Sequence, residues 1–339
     1  MQFGFHKTPL GDVYGQEIDL RAIAAWTPTM AQLRETILKF HVCGPSHLRS
    51  LELDLPPGTR SVPTQEEVEI ISEAAARAVR AGRLIDFGRL DNDIIKQGGR
   101  RGGPLYAKGL LAHPFAEPWL FHHVWEDQSA VYAVHPLEPD KPGGDCEIIE
   151  MQPVMLNGTD PVLFLGDRVT MMPDATLYGP KPEFESKAFY SARAYPSIWR
   201  FMPGASDIAE GMNPHTAAAA NVLDPLVTVL LILSTRGITR ETVRPSPKLA
   251  RARVKARKPP IPPYDRVDCQ LYVTAIRHAR SSERREHQGG THASPIMHLR
   301  RGHPRTYGSG IVRLIPDALV NATDDARSAA QRSHYTVKT

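Results

Sequence analysis

Apolar positions recur at helical spacing in two early stretches. In MAQLRETILKF, Met30, Leu33, Ile37 and Phe40 line one face, with Thr27-Pro28 ahead of them and Gly44 beyond, so a helix is predicted there. VEIISEAAARAVRAG carries the same period as far as Gly82, and Thr64, three residues before Glu67, opens it as a capping box. The glycines of Gly98-Gly99-Arg100-Arg101-Gly102-Gly103 predict a flexible basic loop. From Pro118 the period changes to two: PWLFHHVW and AVYAVHPL form a hairpin around EDQS. Alternation places Trp119, Phe121 and His123 on one side of that hairpin and Leu120, His122 and Val124 on the other, so the two histidines point oppositely and read as ordinary sheet residues. CEIIEMQPVML and PVLFLGDRVTMM, joined at Asn157-Gly158, complete a four-stranded antiparallel region over about 118–172.

From Pro173 to Met212 prolines and aromatics alternate, as in irregular chain packed on a sheet. NPHTAAAANVLDPLVTVLLILSTRG then predicts a short alanine-rich helix and a second one, capped by Asp224 with Pro225 at its first position and Gly237 past its end. DRVDCQLYVTAIRHAR alternates as a strand. The predicted class is α+β, a mainly antiparallel sheet with flanking helices and proline-rich connections. Three regions are expected: a helical 1–115, a β-rich 116–220 and a basic α+β 221–339.

Composition narrows the function classes. Thirty prolines, near 9% of the chain against roughly 5% in average usage, argue against a long helical bundle. Cys43, Cys146 and Cys269 are far apart and form no C-x-x-C pair, so neither a disulfide framework nor a cysteine zinc site is indicated. The longest apolar run, Leu226 to Leu233, is far short of the ~20 residues a membrane span needs, and a cytoplasmic, membrane-free protein is expected. Charge is unevenly placed. Arg244 to Arg313 holds 16 Lys and Arg against four acids, a local +12, which leaves 25 basic and 33 acidic residues elsewhere, or −8. Such polarity attracts polyanions, unless the arginines simply pair with the acidic body.

Two features carry the candidate chemistry. Lys248, Arg251, Arg253, Lys255, Arg257 and Lys258 crowd into eleven residues without an acid, either as a phosphate-tracking arm or as a solvated linker. HASPIMHLRRGHPRTYGSGIVRLIPDALVN, His292 to Asn321, adds His298, Arg300, Arg301, His303 and Arg305 on two short β-like runs with a tight turn between them. In a regular strand His298 and Arg300 share one face and Arg301 and His303 the other, unless Gly302 introduces a bulge. A histidine beside arginines supplies general acid/base chemistry to a phosphodiester. On that reading His298, His303 and Arg301 are catalytic, and the run 248–258 with Arg300 and Arg305 binds nucleic acid. Hydrogen bonds that merely lock a hairpin explain the same residues. Metal and cofactors are not expected, because no carboxylate stands near the histidines before Asp317 and the arginines oppose a cation. Asp86-Phe87-Gly88 matches the kinase magnesium triplet in letters only, Asp91-Asn92-Asp93 reads as a solvated turn, and the glycine-rich segment lacks phosphate-loop spacing.

An apolar helix, PSPKLARARVKARKPPIPPYDRV, a strand and SPIMHLRRGHPRTYGSGIVRLIPDALVN follow one another over Asn221 to Asn321. This order resembles a family of bacteriophage and prophage proteins, of unassigned activity, in which a Lys-Leu-x-x-x-Arg segment ending in Lys-Pro-Pro precedes a strand and a closing H-x-R-R-G-H-x-R hairpin. The resemblance implies a phage or mobile-element source and a bacterial cytoplasm. The expected function is binding of nucleic acid or another polyanion, with metal-independent nuclease chemistry as its enzymatic form. The alternative is a non-enzymatic protein that binds or inhibits a host protein.

Overall fold

A computed structural model describes residues 23–39, 42–43, 65–125, 128–141, 143–156, 158–173, 190–195, 214–270, 272–274, 298–300, 302–307 and 312–320. Phe40, Thr64 and Asn157, named above, lie outside these residues, as does most of 173–212. The first 115 residues supply β1 (Ile23–Ala25), α1 (Met30–Leu38), β2 (Val42–Cys43), α2 (Gln65–Arg80), β3 (Leu84–Arg89) and α3 (Asn92–Ala107). β4 (Trp119–Trp125), β5 (Gln128–Pro136), β6 (Cys146–Leu156), β7 (Asp160–Pro173) and β8 (Tyr190–Tyr195) follow. After them come α4 (Pro214–Ser234), β9 (Arg240–Val243), α5 (Pro247–Lys255), β10 (Tyr264–Val267), β11 (His298–Arg300), β12 (His303–Thr306), β13 (Val312–Ile315) and β14 (Ala318–Val320).

The fold is α+β. A ten-stranded sheet has the order β2-β7-β6-β5-β4-β3-β10-β9, with β1 on β6 and β8 on β7. β4 to β7 pair antiparallel in sequence order, as the alternation over 118–172 requires. β3 runs parallel to both β4 and β10, so strands from all three expected regions share one sheet. Two cores cover its faces. α1 and α2 pack Leu33, Ile37, Val68 and Val79 onto Leu84, Leu120, Val131 and Tyr264. On the opposite face α3 and α4 pack Ile94, Tyr106, Leu226 and Leu230 onto Ile85, Trp119, Phe121 and Tyr132. Phe121 stacks on Tyr132 with centroids 4.6 Å apart, and His123 stacks on the other end of the same row at 5.5 Å.

Several expectations change. α1 starts at Met30 with Thr29 as its cap: Gln32 N–H donates to Thr29 Oγ1 (3.3 Å) and Gln32 Oε1 accepts from Thr29 N–H (2.9 Å). The expected basic loop is instead helix α3. Its glycines lie against α4: a Cβ at Gly98 would overlap the Thr228 side chain, one at Gly99 the Asp224 carboxylate, and one at Gly102 would stand 2.7 Å from Val227 O. Glycine costs ~1 kcal/mol in a helix, but here close helix contact offsets it. α4 is a single helix with Pro225 inside it rather than two helices. The α3 contacts at Asp224, Val227 and Thr228 flank that proline and hold the helical path, and Asp224 serves packing rather than capping. Burial pushes its carboxyl up to about 6, against the pull of Arg100 and Lys96. The long strand expected from Asp265 stops at Val267, because Asp268 Oδ1 accepts from Gln270 N–H (3.1 Å) and the chain turns helical there. β8, in the stretch expected to be irregular, pairs antiparallel with β7.

Two predictions follow from this packing. Gly98→Ala should lower the thermal midpoint, since forcing a methyl against Thr228 costs roughly 1–3 kcal/mol and outweighs the gain in helix propensity; a raised midpoint contradicts the close α3–α4 contact. Burial also holds His113 down at about 4 and His123 at about 3. Unfolded histidines bind protons below about 6.5 while these two in the folded chain do not. Their contribution is therefore complete above that pH and declines as pH falls toward 4, by up to roughly 1.4 kcal/mol per unit for each. Neither ring nitrogen of His123 has a hydrogen-bond partner among the described residues. His123→Phe should raise stability and flatten urea midpoints measured between pH 6.5 and 4.5; an unchanged slope would argue against this assignment.

Candidate functional site

The basic run forms α5. Ser246 caps it, accepting from Leu249 N–H at 3.2 Å, and Pro247 occupies the first turn. Arg257, at φ 52°, ends it, so that Lys258-Pro259-Pro260 leaves in a new direction. Arg253 is the cation that faces inward: it donates to Pro259 O (2.8 Å) and stands 3.8 Å from Glu35 of α1. Arg34 of α1 donates to Pro262 O and lies over the Tyr264 ring at 4.6 Å. Burial raises the Glu35 carboxyl, but Lys39, Arg253 and Lys258 together bring it below its ordinary value.

At 100° per residue Lys248, Arg251 and Lys255 fall within about 60° of arc, opposite Arg253, over about 10 Å of helix. All three are exposed, as are Arg257 and Lys258, and Val254 beside them is 74% exposed. No residue of α5 is buried.

The segment around His298 and His303 is a ribbon in two parts. β11 pairs with β14 and β12 with β13, and the break falls at Gly302 and Asp317. A Cβ at Gly302 would overlap Ile315 O and stand 2.7 Å from Asp317 N, so the glycine is required by the close strand approach. Asp317, 1% exposed, accepts from Gly302 N–H (2.6 Å) and from the Arg101 guanidinium of α3 (2.7 and 2.8 Å). Arg236, just past α4, exchanges backbone hydrogen bonds with Asp317 and Leu319.

On β12, His303 and Arg305 occupy alternate positions, both exposed, with Arg305 over the Tyr307 ring at 5.3 Å. Arg300 is exposed on β11. The backbone of His298 pairs with Val320, and Arg301 lies outside the described residues. α5 is thus strapped to α1 on one face of the sheet, whereas the ribbon is anchored to α3 and α4 on the other. The two groups of cations are held by different layers.

A third constellation has no counterpart in the sequence reading. His122, expected to be an ordinary sheet residue, places Nδ1 2.9 Å from Asp86 Oδ1 and Nε2 2.7 Å from Ser129 Oγ. Asp86, His122 and Ser129 stand on β3, β4 and β5, on the face covered by α1 and α2, and are 7%, 4% and 5% exposed. Burial raises the Asp86 carboxyl, but the His122 hydrogen bond and charge, the Gly88 N–H at 3.0 Å and Arg266 hold it below the ordinary carboxylate range. An ionised carboxylate only accepts, so His122 Nδ1 is the donor; Nε2 accepts the Ser129 hydroxyl when the ring carries one proton. Spacings of 36 and seven residues between these three carry no local signal, and only strand register unites them.

Arg101→Ala should cost about 3–5 kcal/mol, because it strands the buried Asp317 carboxylate. It should also free the ribbon for proteolysis; a denaturation midpoint within error of wild type would contradict the anchor.

Among the described residues no helix is long and apolar enough to cross a membrane. No curated protein and no solved structure matches the chain. The model of the AcrVA2-like family, described as the anti-CRISPR type V subtype A2 family, matches residues 169–322. From the end of β7 through β14, therefore, the chain is similar to a phage-type family of CRISPR antagonists.

Proposed function

We propose that this chain is a phage-encoded antagonist of a host type V CRISPR system, that it acts in the bacterial cytoplasm by binding a component of that machinery, and that the outer face of α5 is its docking surface. The observation that carries this reading is a helix, inside the matched segment, that buries none of its own residues. The sheet gains little from Lys248, Arg251, Lys255 and Val254, yet they form one ridge of cations beside an exposed apolar side chain, which suits an acidic partner surface. In a bacterium whose type V system targets an infecting phage, the wild-type chain should restore plating. The triple variant Lys248→Glu, Arg251→Glu, Lys255→Glu should lose at least a factor of ten of that effect at an unchanged thermal midpoint. Full activity of the variant removes α5 as the surface, and no restoration by the wild type removes the antagonist reading.

The same cations favour a second reading, binding of nucleic acid by α5 together with Arg300 and Arg305. Its enzymatic form uses His303, His298 and Arg301 to cleave the phosphodiester, the histidines as general acid and base and the guanidinium holding the developing charge. Three phosphate contacts on α5 give a log–log salt slope of roughly −2 to −3 for RNA or DNA. A salt-independent affinity would remove this reading. Cleavage that persists undiminished in His303→Ala would remove its enzymatic form.

A further inference from the structure

Asp86, His122 and Ser129 do more than bridge three strands: the geometry points to a nucleophilic hydrolase site in which Ser129 attacks a small acyl ester. This inference is independent of the antagonist reading. Three observations carry it. The order of contacts, carboxylate to Nδ1 at 2.9 Å and Nε2 to hydroxyl at 2.7 Å, is the order a serine nucleophile requires, with the base oriented by a third group.

The second is position. β3, β4 and β10 are mutually parallel, and Asp86 and His122 lie mid-strand, two residues before Gly88 and Val124, with Ser129 the second residue of β5 at the adjoining hairpin end. The three residues sit one layer beneath a rim whose residues grade outward to solvent: Gly88, Val124 and Trp125 are half-buried, and Arg89 and Gln128 are exposed. The side chain of Arg266, 53% exposed, reaches within 3.9 Å of Asp86 Oδ2.

The third is local backbone. The β3–β4 register shifts between Asp86 and Arg89, Gly88 adopts φ 60°, and its N–H turns back onto Asp86 Oδ1. Such a bulge re-aims a side chain, here holding the carboxylate toward the imidazole.

The step balances without a cofactor. Ser129 Oγ bonds to the acyl carbon while its proton passes to His122 Nε2. The tetrahedral adduct collapses, the carbon–oxygen bond to the leaving alkoxide breaks, and His122 returns the proton to that oxygen. Water then attacks the acyl-serine by the same route, giving a carboxylic acid and free Ser129. Asp86 remains ionised throughout and holds the imidazole in register.

The full chain treated with a fluorophosphonate probe tests this, with modified peptides located by mass spectrometry and folding checked by cooperative thermal unfolding. Ser129 should be the preferred serine, labelled to near completion. Ser129→Ala should abolish the label, and His122→Gln and Asp86→Asn should slow it on the order of 10³–10⁴-fold in protein that still unfolds cooperatively. Hydrolysis of p-nitrophenyl acetate should fall in parallel. A folded wild-type chain whose Ser129 stays unlabelled overturns the proposal, as does an undiminished label in folded His122→Gln; in either case the three residues are a structural bridge only.

Discussion

The close approach of α3 to α4 is the constraint on which the rest of the molecule depends. Gly98, Gly99 and Gly102 leave no room for side chains between the helices, and Thr228 Oγ1 donates to Ile95 O at 2.9 Å across the gap. Only with the helices at that distance does α4 reach the sheet with Leu226 and Leu230 while α3 still covers Ile85 and Trp119. The contact also joins chain that is far apart in sequence. α3 precedes the segment similar to the anti-CRISPR family and α4 lies within it, so the matched segment, which supplies β8, β9, β10 and the end of β7, is built onto a sheet whose central strands precede it. β10 repeats the arrangement at the level of strands, entering beside β3.

From that junction the two basic elements diverge. Arg101, one residue before Gly102, turns outward from α3 to the buried Asp317 and so fixes the ribbon that carries His303 and Arg305. α5 is held on the other face by Arg34 and Arg253 through backbone carbonyls of the proline-rich segment. Among the described residues no carboxylate forms a salt bridge with Lys248, Arg251 or Lys255, the outward cations of α5. This separation favours a docking ridge on α5 over a single phosphate-binding face assembled from both elements.

What sequence shows here follows the range of the interaction involved. Alternation over 118–172 identifies β4 to β7 because each strand half-buries one face, and the opposite placement of His122 and His123 follows from the same period. The boundaries of α1 move by two residues because Gln32 selects Thr29 as its partner. The glycines of α3 mislead because a loop and a tight helix contact use the same residue, and only α4, more than a hundred residues later, decides between them. Pro225 misleads for the same reason. Gly302 is legible as a break in the strand, whereas its partner Asp317 is not. The basic run reads as cationic but not as a helix with one cation turned inward. Asp86, His122 and Ser129 are invisible as a group, since nothing before strand register relates them, and His122 by itself is indistinguishable from any sheet histidine.

The outer face of α5 is the surface proposed to meet the CRISPR machinery. Amide hydrogen exchange of the full chain, alone and mixed with the host type V effector complex, reads that surface directly. Slowed exchange confined to residues 247–258 and the neighbouring α1 is the predicted footprint. Protection that appears instead on β11 to β14, or nowhere on the chain, contradicts it.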